Sequence, residues 1–431
     1  MPGVKRKGLS LGTKIMLMMS AVTVGVSIFV FLRLSTGNSA DLSRLKLQAI
    51  NLQAGKEKTE RSAETVTKEN SSGKNVPTAS NHPEKNMPAT DGAESLLTMT
   101  FGGTLAIEEN VRKSGYSADS KKYDFTDIIA PLVSEMESDL TGVFMENLMM
   151  DEVKVSSVAI PSAGADMLKY AGVEACFMGF SKAFDKEEKG IRTTSENLRN
   201  RGIMPLGLQE TEGERTFMIR DIRGIRVAMM QYTASVPSKT RKAMEKKGIS
   251  WMIPDAESEL IGQDISRART EGAQIVIVLM NWGKTGTRNP DKTQMSLAQQ
   301  IADLGADVMI GAGSRVPQKA EYLVSQTGRK MLCVYSLGTL LSDNRSAPNR
   351  MGGYLVKLTF QRQEDGTIGL KKTAYVPTYV WRYRQDGKYE YRILPADRPT
   401  PDGMESEQAK QMQRTMNSVQ EVLDGGPLVI R

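Results

Sequence analysis

Histidine is almost missing from this chain: one residue, His82, in 431. That scarcity excludes more than any motif present. A serine hydrolase built on an imidazole base, a histidine-ligated metal centre and a histidine acid–base pair all need a side chain that the chain does not supply from residue 83 onward. Cysteine is nearly as rare. Cys176 and Cys333 both lie inside apolar, strand-like runs, so buried free thiols are expected rather than a disulfide or a thiolate metal cluster. Aromatics make up 6% of the residues, and no internal repeat is found.

The excess of one sign of charge over the other is small as well. The net charge is +7, but Lys5, Arg6, Lys7, Lys14 and Arg33 flank one hydrophobic run, and setting them aside leaves +2. No global field for a polyanion results, and no nucleic-acid partner is expected. The single long apolar run is Ile15–Leu32, 18 residues without a charge. As a helix it would reach roughly 27 Å, enough to cross a bilayer. Its basic leading end places residues 1–14 in the cytoplasm and the chain beyond about Asn38 outside. A cleaved signal peptide ending near Asn38-Ser-Ala40 is the alternative, but the run is longer than a usual signal core.

Asp41–Gln53 has helical spacing, and from Gly55 to Glu94 the composition turns to Lys, Glu, Ser, Thr, Asn and Pro. Such a segment buries too little surface to offset its ordering entropy. The expected organisation is a tail (1–14), a transmembrane anchor (15–32), a juxtamembrane and disordered stalk (33–95), a folded domain (96–360), and strands with a helix (361–431) that continue it. His82, in the stalk, reads as a solvated linker residue.

From Leu96 onward, apolar runs alternate with amphipathic stretches. Strands are expected at Leu96–Phe101 (ending at Gly102-Gly103), Leu140–Glu146, Val173–Gly179, Gln274–Met280 and Asp307–Ile310, and from Met331. Helices are expected at Asp124–Asp139, Gly164–Tyr170, Glu188–Arg201, Asp255–Arg269 and Lys292–Asp303. Thr216–Arg220 and Ile225–Tyr232, joined through Arg223-Gly224, read as a hairpin. After Asn349 come four antiparallel strands, Gly353–Gln361, Gly369–Pro377, Tyr379–Arg384 and Tyr389–Ile393, and a polar helix, Met404–Leu423. The alternation implies parallel βαβ units with ligands at strand carboxyl ends.

Two blocks at such ends carry a resemblance. Gly305-Ala-Asp-Val-Met-Ile-Gly-Ala-Gly-Ser-Arg315 through Glu321, and Tyr335-Ser-Leu-Gly338, resemble the GADxVIGxHPHxxQxxE and YSLGN blocks of the CapA-type capsule-synthesis family. That family is linked with poly-γ-glutamate and related to metallophosphoesterases. The resemblance covers roughly Leu96 to Phe360. It implies an α/β, metallophosphoesterase-like layered sandwich of mixed sheets flanked by helices, here preceded by one transmembrane helix.

Retained cleft positions are Gly102, Asn147, Asp185, Trp282, Gly283, Gly311, Glu321, Ser336 and Gly338. The positions that would hold metal depart. Gly103 replaces an aspartate and Met149 a glutamate. Phe180, Ser181 and Lys182 replace an Asn-Asn-His run, and Asn281 replaces the histidine before Trp-Gly. Ala312, Gly313 and Arg315 stand where histidines belong. No metal, no cofactor and no catalytic residue are expected. Ser314 and Ser336 lack a base, and Gly311-Ala-Gly313 is not a dinucleotide fingerprint. Lys182, Lys284 and Arg315, with Asn281, form a candidate anion site in place of lost cations.

The resemblance implies a non-catalytic envelope protein that assists synthesis, export or retention of an anionic polymer such as poly-γ-glutamate, beside capsule or envelope biosynthesis membrane proteins. Two alternatives stay open. One is a hydrolase or transferase acting on poly-γ-glutamate or a phosphodiester; the other is a purely structural assembly partner.

Overall fold

A computed structural model describes residues 96–151 and 158–431. The expected tail, anchor and stalk, and His82, lie outside the described residues. In chain order the elements are β1 (Leu96–Leu105), α1 (Glu109–Ser114), β2 (Tyr116–Ser117), β3 (Lys122–Tyr123), α2 (Thr126–Ile129), α3 (Val133–Met136), β4 (Leu140–Met145), β5 (Leu148–Met149), β6 (Ala159–Ile160), α4 (Ala163–Tyr170), β7 (Ala175–Phe177), α5 (Glu187–Arg199) and β8 (Met204–Leu206). Then follow β9 (Phe217–Ile222), β10 (Ile225–Thr233), α6 (Ser238–Lys247), α7 (Ser258–Thr270), β11 (Ile275–Asn281), α8 (Lys292–Asp303), β12 (Val308–Ala312), β13 (Ala320–Val324), β14 (Lys330–Val334) and β15 (Thr339–Leu341). The chain continues through β16 (Tyr354–Arg362), β17 (Ile368–Gln385), β18 (Lys388–Pro395), α9 (Ser406–Leu423) and β19 (Val429–Ile430).

Two mixed sheets stack face to face. The first runs β18-β17-β16-β1-β4-β7-β8, with β15 beside the end of β1; the second runs β13-β14-β12-β11-β10-β9. Strand alternation sorts the side chains. Leu97, Met99 and Phe101 point into the layer between the sheets, where they share a core with Val227, Ile277 and Ile310. The opposite face of the second sheet, with Met230, Val278 and Met280, packs on Ile261, Ile265, Ala298 and Ile301 of α7 and α8. Val143, Cys176 and Met178 lie in a third core with Leu168 of α4 and Ile191 of α5. The layers are therefore helix, sheet, sheet, helix, an α/β fold of mixed sheets.

Local chemistry sets the boundaries. Helix α8 begins on a capping box, Asp291 accepting from the Gln294 amide while the Gln294 side chain accepts from the Asp291 amide, which satisfies two end donors. Arg223 and Gly224 both take positive φ, 53° and 72°, as a two-residue hairpin turn requires.

Three elements differ from the sequence reading. Gly102-Gly103 does not end β1; the strand continues to Leu105, with a shift of register at Gly103. The single helix expected over Asp124–Asp139 is α2 and α3 separated by a 3-10 turn, Ala130–Leu132, because Pro131 cannot donate to the helical ladder. Gly369–Pro377 and Tyr379–Arg384 are one strand. Its first half pairs with β16 up to Pro377 and its second half with β18 from Thr378 onward, so the proline sits where the strand changes partner.

Candidate functional site

Strands β1, β4 and β7 run parallel in one sheet, and β10, β11, β12 and β14 in the other. Their carboxyl ends meet. Thr104 donates its amide to the Gly338 carbonyl at 2.9 Å. Gln231 of β10 exchanges two hydrogen bonds with the Gly179 backbone beyond β7, at 3.0 and 3.1 Å. Met280 and Asn281 lie opposite Gly311 and Ala312. These pairings bring Gly179, Asn281 and Gly311 to the carboxyl ends of β7, β11 and β12.

Close backbone packing explains the glycine at Gly311, a retained position, and at Gly103, where the resemblance places an aspartate. A Cβ on Gly311 would fall 2.0 Å from the Tyr335 carbonyl, and one on Gly103 2.4 Å from that of Gly338. Trp282 lies flat against Tyr335, ring centroids 6.0 Å apart, and donates its indole N–H to the Tyr335 carbonyl at 2.9 Å. The backbone here is thus held by strand ends that almost touch.

The centre of the edge is ionic. Arg315, in the loop after β12 and at a left-handed φ of 54°, directs Nε and Nη2 to Glu146 Oε2 at 2.8 and 2.5 Å, and Nη1 to Glu108 Oε1 at 3.0 Å. Its carbonyl accepts from the Thr339 hydroxyl. Burial opposes the guanidinium charge, but Glu146 and Glu108 outweigh it and hold the group protonated above its ordinary range. Glu108 also accepts from the Asp343 amide. Asp343 in turn accepts from Tyr391, Asn110 and Arg382. One arginine therefore ties the ends of β1, β4, β12 and β15.

Most of the remaining polar groups satisfy one another, although the Thr104 and Thr233 hydroxyls, at the ends of β1 and β10, are buried without a partner. Asn147 is buried, accepting from the Ile107 amide and donating to its carbonyl. Asn281 accepts from Ser235 at 2.5 Å. Ser314 and Ser336 are 2.9 Å apart, with Ser314 also reaching the Val316 carbonyl and Ser336 accepting from the Gly338 amide. Neither serine meets a base. Glu321 stands off on β13, accepting from Tyr335 and Lys319, and Asp185 is exposed.

Of the four candidate anion-binding residues, Lys182 and Lys284 are exposed, without a side-chain partner among the described residues. Arg315 differs from the sequence reading. Its donors are already taken by two carboxylates, so an anion would have to displace Glu108 or Glu146. Sequence reasoning missed Glu108 and Glu146. Nothing local marks them beyond Glu146 following an apolar strand.

The profile of the bacterial capsule synthesis protein PGA_cap matches residues 98–344, from within β1 to just past β15. The chain belongs to the PGA_cap family. Two curated relatives fall in the same group by name. The capsule biosynthesis protein CapA of Bacillus anthracis is 24% identical over 269 residues, 59% of this chain and 62% of that one. The PGA biosynthesis protein CapA of Bacillus subtilis (strain 168) is 26% identical over 163 residues, 37% and 40% of the two chains. The alignments thus span less than two thirds of these relatives. Among solved structures, the NAD nucleotidase NadN of Haemophilus influenzae is similar with a TM-score of 0.41 at 11% identity, covering 78% of this chain and 57% of that one. The calcineurin-like phosphoesterase YfkN of Bacillus subtilis gives 0.38 at 12% identity, covering 77% and 99%.

The metal ions implied by the metallophosphoesterase resemblance do not fit the residues present in this PGA_cap chain. Hard divalent ions want several carboxylates or imidazoles on one centre. No three His, Cys, Asp or Glu side chains converge among the described residues, both cleft asparagines are engaged within the chain, and the two carboxylates at the centre already surround a guanidinium.

Proposed function

We infer that this PGA_cap protein is a non-catalytic, membrane-anchored component of the cell envelope. In this reading Ile15–Leu32 anchors it, the domain from Leu96 lies outside the membrane, and the protein assists synthesis, export or retention of an anionic polymer such as poly-γ-glutamate, alongside membrane proteins of the same assembly. The observation that carries the reading is the Arg315 clamp. At the point where strand ends would present reactive groups, Arg315 is closed on two carboxylates, and Ser314, Ser336 and Asn281 are hydrogen-bonded within the chain. General acid–base chemistry needs a titratable group free to face a substrate, and hydrolysis by bound ions needs their ligands.

The test is incubation of the purified full chain with poly-γ-glutamate and with a phosphodiester, in the presence and absence of manganese. The expected outcome is polymer binding without shortening of the polymer and without phosphodiester turnover. Turnover proportional to protein and abolished by Asn281→Ala would favour the hydrolase alternative instead. Orientation is tested by protease added to intact protoplasts; a protected C-terminal domain would refute the external location.

A further inference from the structure

Helix α6, Ser238–Lys247, reads SKTRKAMEKK, five bases against one carboxylate, in a chain whose whole net charge is +7. Only Met244 of this helix is buried. Two of the bases have work inside the fold. Arg241 donates to the Ile253 carbonyl at 2.7 Å and to Asp255 at 2.9 Å. Lys247 pairs with Glu187 at 2.9 Å and lies over the Phe184 ring.

The other three, Lys239, Lys242 and Lys246, are exposed and have no hydrogen-bond or ion-pair partner among the described residues. Their i, i+3, i+7 spacing puts them in one stripe, on the side of the helix away from Met244.

This stripe works against its own helix. Like charges three and four residues apart repel. Lys239 stands in the first turn, where the helix dipole disfavours a cation, and no acidic residue offsets it there. On the helix only Glu245, three residues after Lys242, offsets this, so a partner that compensates the rest of the stripe is anionic. The stripe covers about 10 Å of helix axis and has no concave wall. Isolated, hydrated ammonium groups of that kind hold a single small anion weakly, but they suit a chain of repeated charges engaged together. The helix follows β10, and the Lys247–Glu187 pair ties it to the start of α5, just after the loop that carries Lys182. The connection into α6 also meets the strand-end cleft, where Ala234 and Ser235 both donate to Asn281, whereas Arg315 at the cleft's centre is already compensated.

We propose that the Lys239–Lys242–Lys246 face of α6 is the docking surface for a linear polycarboxylate, lying along the rim of the cleft. The proposal deepens the polymer role inferred above and rests on it. The measurement is fluorescence anisotropy of labelled poly-γ-glutamate with the full chain in detergent, at low and moderate salt. The triple variant Lys239→Gln, Lys242→Gln, Lys246→Gln is set against a second triple that removes the same charge elsewhere, Lys330→Gln, Lys388→Gln, Lys410→Gln.

The α6 triple should bind about tenfold more weakly or worse, with a shallower dependence on salt, while the second triple stays near the parent. An α6 triple that binds like the parent, or a second triple that loses as much, overturns the docking surface and leaves the polymer role standing. A parent that does not bind the polymer removes the role and the surface together. Polyphosphate held as tightly as poly-γ-glutamate, and lost in the α6 triple, overturns the assignment to carboxylates.

Discussion

Removing the Arg315 guanidinium is the sharpest perturbation available. Arg315→Ala leaves Glu146, whose side chain is 9% exposed, and Glu108, at 34%, facing each other without a cation. Deleting one member of a buried pair costs about 3–5 kcal/mol, and an exposed pair is worth about 0–1. Glu146 belongs to the first class and Glu108 nearer the second, so the loss should be about 2–4 kcal/mol. In a domain of this size that lowers Tm by roughly 5–10 °C.

Adding Glu146→Gln to Arg315→Ala should recover part of the loss, since the stranded charge goes with it. The assay is thermal unfolding of the three proteins. Equal stability of Arg315→Ala and parent at neutral pH, or a double variant no better than the single one, would refute the clamp.

Three further outcomes are expected. Asn147→Leu leaves the Ile107 amide and carbonyl buried without their partner, so chemical denaturation should show a loss of about 2–3 kcal/mol. Asp343 is pushed up by burial, but hydrogen bonds from Tyr391, Asn110 and Arg382 outweigh this and hold its carboxyl below the usual aspartate range. It therefore stabilises the fold above that range and the contribution is lost as the pH falls through its lowered value, so Asp343→Asn should flatten the acid limb of a stability–pH curve. Both cysteines are buried and free, with burial pushing their thiols well up; a thiol reagent should leave the native protein unlabelled and modify two sites on denaturation.

Periodic segments were legible in the sequence. Helix α8 has the bounds read from its apolar spacing, and the Arg223-Gly224 hairpin forms as its turn residues require. What stayed hidden was non-local or compensated. Arg315 meets partners 169 and 207 positions away, and no spacing rule joins residues so distant, so in sequence its charge looks free. Helix α6 leaves no signature there, because one buried methionine makes no period. The continuity of β17 was obscured by Pro377, which reads as a break in sequence but tolerates a strand at a change of partner.

The position of β1 has a consequence in time. Residues 96–105 lie between β4 and β16, and β16 begins only at Tyr354, some 250 residues later. At about 5–20 residues per second, a ribosome needs roughly 12–50 s to deliver that partner. Until then one long edge of the opening strand has nothing to pair with, and the first sheet cannot close. Contacts of such long sequence separation also form slowly. The nascent chain therefore has a window of many seconds as an open, threadable polypeptide, and any helper that guards it must cover the exposed side of Leu97, Met99 and Phe101 for that long.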